Sequence, residues 1–398
     1  MKRLMSWPRL TLIGFIVFES IWIAWVTKSQ KLIDYYAYDV ASTAIDRGLS
    51  PYELTRAQIN AISNDRNIRT SDPVPVYRYS PFLAGVLRPL VKLPALTAAI
   101  IWSIGSLIAL AISSLLLSDI LSNRWIDPQV FIGLAVFVPV LTTFYAGQVN
   151  HYLLLAMVLV VWTIHKSNAR GAGLSLAIGI LLKTIPLALA GWLLLRRNWK
   201  ALAWLGVCLV ILIAITVPLT SFDLYRDYAS TALELAGGSN ISTAPPNQSL
   251  GAMTGRLFGP DIARPLGLGL AALVISLTII VVVVATIRSD HCDLLSMSVI
   301  IAGTSLIAPL SWVHHQVLLA IPLVILLHAT RGTRRAAFGW IVSVMVIGAL
   351  DVVGLAWKQL QASTLLVSIG TYSMVLLWAA LIGLILSNPT REILSTSS

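Results

Sequence analysis

The sequence predicts an all-α polytopic membrane protein, and three observations carry that prediction. Of its 398 residues 57% are hydrophobic and only 11% are charged, against roughly 45–50% and about 25% in soluble domains. Mean hydropathy is +0.83. The hydrophobic residues are also gathered into runs, most of them close to the roughly 20 residues of a spanning helix. A soluble enzyme, a disordered chain and a disulfide scaffold are excluded. The length would suit two or three soluble domains, but the runs predict one integral membrane domain over 1–398. A net charge of +11 would suggest nucleic acid on a soluble protein. Here it reads as loop charge that sets topology, with the bilayer as partner and no nucleic acid.

The apolar runs cover 10–27, 94–117, 129–145, 149–165, 171–195, 200–219, 264–287, 293–308, 313–330, 335–356 and 363–386, and two polar segments interrupt them, 28–93 and 220–263. The first run is longer than most signal-peptide cores and lacks a small-residue cleavage site after it, so it reads as a retained helix. Lys2, Arg3 and Arg9 place the N-terminus inside. Segment 28–93 is then a large outer loop, and Arg124 and His165–Arg170 are inside. The run 171–195 also ends in a basic cluster, Arg196-Arg197-Asn-Trp-Lys200, and a single span cannot have both ends inside. Lys183-Thr-Ile-Pro186 resolves the conflict. Proline disrupts the preceding turn and a mid-membrane lysine is costly, so the run divides into two half-helices meeting near the outer face. Segment 220–263 becomes the second outer loop. About twelve membrane segments result, with both termini inside; eleven full spans without the hairpin would put the C-terminus outside. No repeat period is visible.

Cys208 lies in an apolar run and Cys292 in a polar loop, at different depths, so no disulfide is expected. The chemically rich residues gather on the outer side. They include Asp34-Tyr-Tyr-Ala-Tyr38-Asp39, Tyr77-Arg78-Tyr79, Gly147-Gln148-Val-Asn150-His151, Lys183, Asn247-Gln248-Ser249, Arg256 and Trp312-Val-His314-His315. That asymmetry argues for a site at the outer membrane–water boundary, whereas a transporter places its polar groups near the midplane.

Each group also has a plainer explanation. Asp34 or Asp39, near an aromatic surface, could serve as a base with raised pKa, or be a solvated loop acid. The tyrosines (Tyr35, Tyr36, Tyr38, Tyr77, Tyr79) suit an interfacial belt or sugar faces. Arg78 suits a phosphate, either of a bulk lipid or of a substrate. Lys183 has the weakest plain explanation, because an ionisable group in an apolar run is a functional candidate by default. Gln148 and Asn150 could simply bond between helices. The N-x-S/T patterns at Asn240 and Asn247 carry no weight. Adjacent histidines on a helix point about 100° apart, so at most one of His314 and His315 faces the site, and they lack the further ligands of a metal centre. No P-loop, dinucleotide fingerprint, H-E-x-x-H or G-x-S-x-G occurs.

Six stretches, in order, resemble glycosyltransferase family 87, the polyprenol-phosphate-mannose-dependent α-mannosyltransferase-like proteins of the GT-C superfamily. They are DYYAYDVASTAIDRGLSPY (34–52), YRYSPFLAGVLRPL (77–90), YAGQVNHYLLL (145–155), GLSLAIGILLKTIPLAL (173–189), NQSLGAMTGRLFG (247–259) and APLSWVHHQVLL (308–319). The resemblance implies a GT-C-type enzyme of the bacterial inner membrane. Such an enzyme moves a hexose, by family default mannose, from a polyprenyl-phosphate carrier to a hydroxyl of a glycolipid or glycan on the extracytoplasmic side. Asp34 takes the position of the family's general base, with Asp39 in reserve, and His315 that of a site histidine. Arg78, Lys183, Arg256 and His314 are candidates for the carrier phosphate on charge and placement. Tyr77, Tyr79, Gln148, Asn150, Asn247, Gln248 and Trp312 are candidates for substrate contact. Inverting transfer needs one carboxylate and no covalent intermediate. No cofactor is expected, and scattered acids favour metal independence. Segment 53–76 matches nothing in the family and is the expected seat of acceptor specificity. A lipid-linked-glycan flippase and a non-catalytic envelope-assembly subunit are the rival classes.

Overall fold

The computed structural model describes residues 7–29, 31–70, 72–236, 242–288, 293–360 and 363–387. Lys2, Arg3, Asn240, Cys292 and the C-terminal tail lie outside them. The described chain is helical, with one isolated antiparallel bridge between Asn247 and Trp312.

Helix α1 (Trp7–Lys28) is apolar along its length. The polar segment after it, expected as a loop, folds into α2 (Ile33–Asp46), α3 (Arg56–Asp65) and α4 (Pro81–Leu87). Before α2, Leu32 adopts the left-handed region (φ 45°), and its N–H reaches Tyr145 O at 2.9 Å. Helix α2 then buries Tyr35 to Ala44 without interruption, as a core helix does. Helix α3 opens on a reciprocal cap between Thr55 and Gln58, which satisfies two otherwise unbonded N–H groups. Pro81 starts α4, where its missing N–H costs nothing.

Helix α5 (Ala95–Ser122) is followed by α6 (Pro128–Val136) and α7 (Val138–Ala146). One continuous helix was expected over 129–145, but the chain bends by 55° at Phe137. Pro139 is the cause: it lacks the N–H that would bond Ala135, and its ring clashes with that carbonyl. The freed N–H of Val138 is taken by the Asp351 carboxylate at 2.9 Å. Then come α8 (Asn150–His165), α9 (Ala169–Leu182), α10 (Leu187–Leu195) and α11 (Trp199–Thr216). The break expected at Lys183–Pro186 is present, with Lys183 extended (φ −161°, ψ 146°).

The second polar segment folds as α12 (Phe222–Ala236) and α13 (Leu250–Phe258). Helices α14 (Pro260–Arg288) and α15 (Asp293–Ile307) follow, then a 3₁₀ turn over Val313–Leu319. The chain continues through α16 (Ala320–Thr330), α17 (Ala336–Leu360), α18 (Thr364–Val367) and α19 (Ile369–Leu386).

Among the described residues seven helical segments are long and apolar enough to cross a membrane, or eight if the bent α6–α7 pair is one span. That does not support the expected twelve. Helices α8, α9 and α15 are apolar but 16, 14 and 15 residues long, short of the roughly 20 a straight crossing needs. The chain is a multi-pass, all-α membrane protein.

Helix α8 packs against α5 and α9, and α9 against α11. The α9–α11 approach depends on Gly173, where an added Cβ would lie 2.7 Å from Leu205 N; small residues at such crossings let membrane helices meet closely. Helix α5 separates two chemically different ends. Near its start Trp102 Nε1 donates to Gly147 O at 2.9 Å, beside the tyrosines. Near its far end Leu121 O accepts from Arg331 at 3.2 Å, and Asp119 pairs with Lys166 at 3.2 Å. The 19 residues between Trp102 and Leu121 rise about 28 Å, close to the hydrocarbon thickness of a bilayer.

Candidate active site

Part of the predicted polar set, namely Asp34, Tyr79, Gln148, Asn150, Lys183 and the His314–His315 turn, comes together at the Trp102 end. Asp34 stands in the first turn of α2. Tyr38, one turn on, shares its face and donates to Gln148 Oε1 at 3.1 Å. Tyr79 donates to the same oxygen at 3.0 Å. With that acceptor doubly occupied, the Gln148 amide N–H group is left to bond the Asp34 carboxylate, and it does so. Gly147 makes this possible. It ends α7 at φ +69°, and a Cβ there would lie 2.7 Å from Tyr35 Cβ, so only glycine turns the chain here and brings Gln148 under α2.

Lys183 faces this group from the α9–α10 break. Its Nζ donates to Asn150 Oδ1 at 3.3 Å and lies 5.8 Å from the Tyr79 ring centre. Asn150 Nδ2 in turn donates to His314 O at 2.9 Å, and Thr143 Oγ1 to the same carbonyl at 3.1 Å. That pins the 3₁₀ turn to α7 and α8. His315 stacks edge-on against His314, ring centres 4.5 Å apart, and holds Nδ1 at 3.0 Å from Leu310 O. Trp312 lies parallel to His314 at 6.5 Å. Both imidazoles lie within range of the Lys183 charge. The tight 3₁₀ geometry keeps the two rings together.

Burial raises the Asp34 pKa from 3.8 to about 6, with Gln148 and Lys183 opposing the rise. The carboxylate is therefore poised near neutrality beside the Lys183 side chain, which is the environment of a general base.

Other candidates are placed elsewhere. Asp39 is engaged by Arg66 through two bonds of 2.8 Å, and its side chain is fully buried. Tyr77 is buried behind Tyr79 and donates to Ser80 O at 2.6 Å. Arg78 is exposed; in this extended stretch alternate side chains point opposite ways, and Tyr79 takes the inward side. Asn247 is wholly buried. It donates to Ser242 O and Pro309 O and accepts from Ser311 N–H, at 2.8, 3.1 and 2.9 Å. Gln248 ties Val367 O and Thr371 N–H at 2.8 and 3.0 Å. Arg256 directs its guanidinium at Asn247 O (2.7 Å) and Ser368 Oγ (3.1 Å). Gln248 and Arg256 brace α13 against α18 and α19, Asn247 ties the segment before α13 to Pro309 and Ser311, and none of the three joins the Asp34–Lys183 group. Tyr38 and Thr143 do join it. Tyr38 was visible only as one of several tyrosines, and its position four residues after Asp34 on α2 was the available signal.

A family model described as Glycosyltransferase family 87 matches residues 77–310. Two curated proteins are similar over nearly the whole chain, both named polyprenol-phosphate-mannose-dependent alpha-(1-2)-phosphatidylinositol pentamannoside mannosyltransferase. One, from Mycolicibacterium smegmatis, is 29% identical over 96% of this chain and 89% of its own length. The other, from Mycobacterium tuberculosis, is 25% identical over 91% of this chain and 80% of its own.

Proposed function

The chain belongs to glycosyltransferase family 87 and is a polyprenol-phosphate-sugar-dependent glycosyltransferase, and on that premise we propose that it transfers mannose to a hydroxyl acceptor, with inversion, using Asp34 as general base. The observation that carries this is the gathering of Asp34, with its raised pKa, and Lys183 about Gln148 and Asn150. The acceptor hydroxyl attacks the anomeric carbon while Asp34 removes its proton. The bond to the carrier oxygen breaks, and the polyprenyl phosphate leaves as an anion. Lys183, with His314 and His315 beside it, supplies fixed donors for that developing charge. No metal or cofactor is assigned to the step.

The acceptor is a mannosylated glycolipid, the class named for both relatives. The site faces the extracytoplasmic side of the bacterial inner membrane. In support, the opposite end of α5 gathers Lys166, Arg170, Arg331 and Arg335 near helix termini, the pattern of cytoplasmic loops.

The test is transfer from radiolabelled polyprenyl-phosphate-mannose to a membrane lipid extract, with purified wild type and Asp34→Asn side by side. The variant should lose about 100- to 10,000-fold in rate with an unchanged elution profile. Full activity in Asp34→Asn removes that residue from the base role. No labelled product from the wild type overturns the donor assignment.

A further inference from the structure

Away from the Asp34 group, a long groove runs between α6, α16 and α17 on the lipid-facing surface. Val130, Gly133, Phe137, Leu323, Val344 and Ile347 line its apolar length. At the basic end it continues into a second cavity bordered by Thr330, Arg331, Gly332 and Ala336. The two share Leu121, Gln129, Leu327 and Trp340, so they form one slot. Exposed Ile132, Val136, Ile341 and Val344 flank it, which opens it to acyl chains.

We propose that this slot binds one anionic phospholipid, with its headgroup at Arg331 and an acyl chain along α6. The charge pattern selects that occupant. Arg331 uses one guanidinium nitrogen on Leu121 O at 3.2 Å and is otherwise exposed. Arg334 and Arg335, both exposed, follow after Gly332 and Thr333, with Arg335 also donating to Ser387 Oγ. Two acids lie near the mouth in sequence: Asp127 is buried and turned to Gln129 N–H at 2.9 Å, and Asp119 is paired with Lys166 at 3.2 Å. Trp340, 45% exposed, sits at the mouth as tryptophans do at headgroup depth. Basic pockets between membrane helices hold anionic headgroups. The isoprenoid carrier is a poor fit. With its phosphate at Lys183, in the group at the opposite, Trp102 end of α5, it would bring only hydrocarbon to this cationic mouth. The apolar end stops at Phe137, where α6 gives way to α7, so a bound chain packs on the half-helix below the one that presents Gln148.

Gly133 provides a clean probe, because an added Cβ there meets nothing within 4 Å. Wild type, Gly133→Leu and Arg331→Gln are reconstituted in nanodiscs of equal phosphatidylglycerol and phosphatidylcholine. Retained lipid is then counted by native mass spectrometry. Gly206→Leu is the control, since its Cβ also meets nothing and it lies on α11. Wild type and control should retain phosphatidylglycerol preferentially. Gly133→Leu should reduce it about tenfold, and Arg331→Gln should reduce the preference about fivefold. Equal retention in Gly133→Leu, no headgroup preference in wild type, retention of polyprenyl phosphate in the slot, or a dimer that Gly133→Leu disrupts would each overturn the assignment.

Discussion

Arg66 grips Asp39 with two parallel bonds, Nε to Oδ1 and Nη2 to Oδ2, both 2.8 Å, and a third guanidinium nitrogen holds Val91 O at 2.6 Å. This one side chain ties α2, the end of α3 and the segment before α5 together. The bidentate fork is the strong form of such a pair, and the Asp39 side chain is fully buried. Asp39→Asn leaves Arg66 partly buried without its counter-charge. The expected cost is about 3 kcal/mol, read as a lower denaturation midpoint, with activity falling only as the folded fraction falls. A normal midpoint with abolished transfer would return Asp39 to the chemistry.

Asp34 should show itself in pH dependence. Its folded pKa, about 6, lies above the ordinary 3.8 because burial disfavours the charged form. As a base it works ionised, so kcat/KM should fall about tenfold per unit below pH 6. The stability sign is the reverse. Folding favours the protonated form, and that contribution is lost as pH rises through about 6. Asp34→Asn should therefore not lower the midpoint at pH 7.5. A flat wild-type profile between pH 4.5 and 7 would count against the assignment.

Much of this site was legible because its residues interrupt apolar runs. Lys183-Thr-Ile-Pro186 breaks a run that composition alone would make continuous, and a buried lysine there needs partners. Asp34, Gln148, Asn150 and the two histidines cluster at helix ends on one side, and the structure joins them. The span count was not legible, because hydrophobicity does not distinguish a crossing helix from the shorter buried helices α8, α9 and α15. The bend at Phe137 was missed although Pro139 stands in the middle of the 129–145 run, where a proline breaks a helix. Nor did charge separate Arg256 from Lys183. The Arg256 donors bond backbone carbonyls brought close only by the tertiary fold.

Lys183 is assigned charge stabilisation of the leaving phosphate, a demand that grows as the carrier bond breaks. Interactions realised in the transition state appear in kcat rather than KM. Lys183→Gln keeps a donor toward Asn150 but removes the charge, and kcat should fall about 100- to 1,000-fold. Lys183→Arg is not a neutral exchange, because a planar fork replaces a compact ammonium next to the Tyr79 ring. It should recover only part of the rate. A Lys183→Gln enzyme with wild-type kcat and raised KM would make the lysine a ground-state anchor. Steady-state kinetics with varied donor distinguishes the two.

Gly147 links backbone geometry to chemistry, and a single methyl group tests it. At φ +69° an alanine carries left-handed strain of about 1–2 kcal/mol. Its Cβ would also lie 2.7 Å from Tyr35 Cβ and 3.3 Å from Leu32 Cα, and overpacking adds about 1–3 kcal/mol. Gly48 is the internal reference, with φ +71° and nothing within 4 Å of its Cβ. Gly48→Ala should show the strain alone, and Gly147→Ala the strain plus the clash, so their difference in unfolding free energy isolates the contact with α2. Relief of that clash pushes the α7–α8 turn away from Tyr35 and takes Gln148 with it, loosening its bonds to Asp34, Tyr38 and Tyr79. Gly147→Ala should therefore lose transfer activity beyond its loss of folded protein, and its pH profile should shift as Asp34 loses the Gln148 bond that opposes its raised pKa. The apparent pKa of kcat/KM should rise above about 6, and an unchanged profile would show that Gln148 does not tune the base.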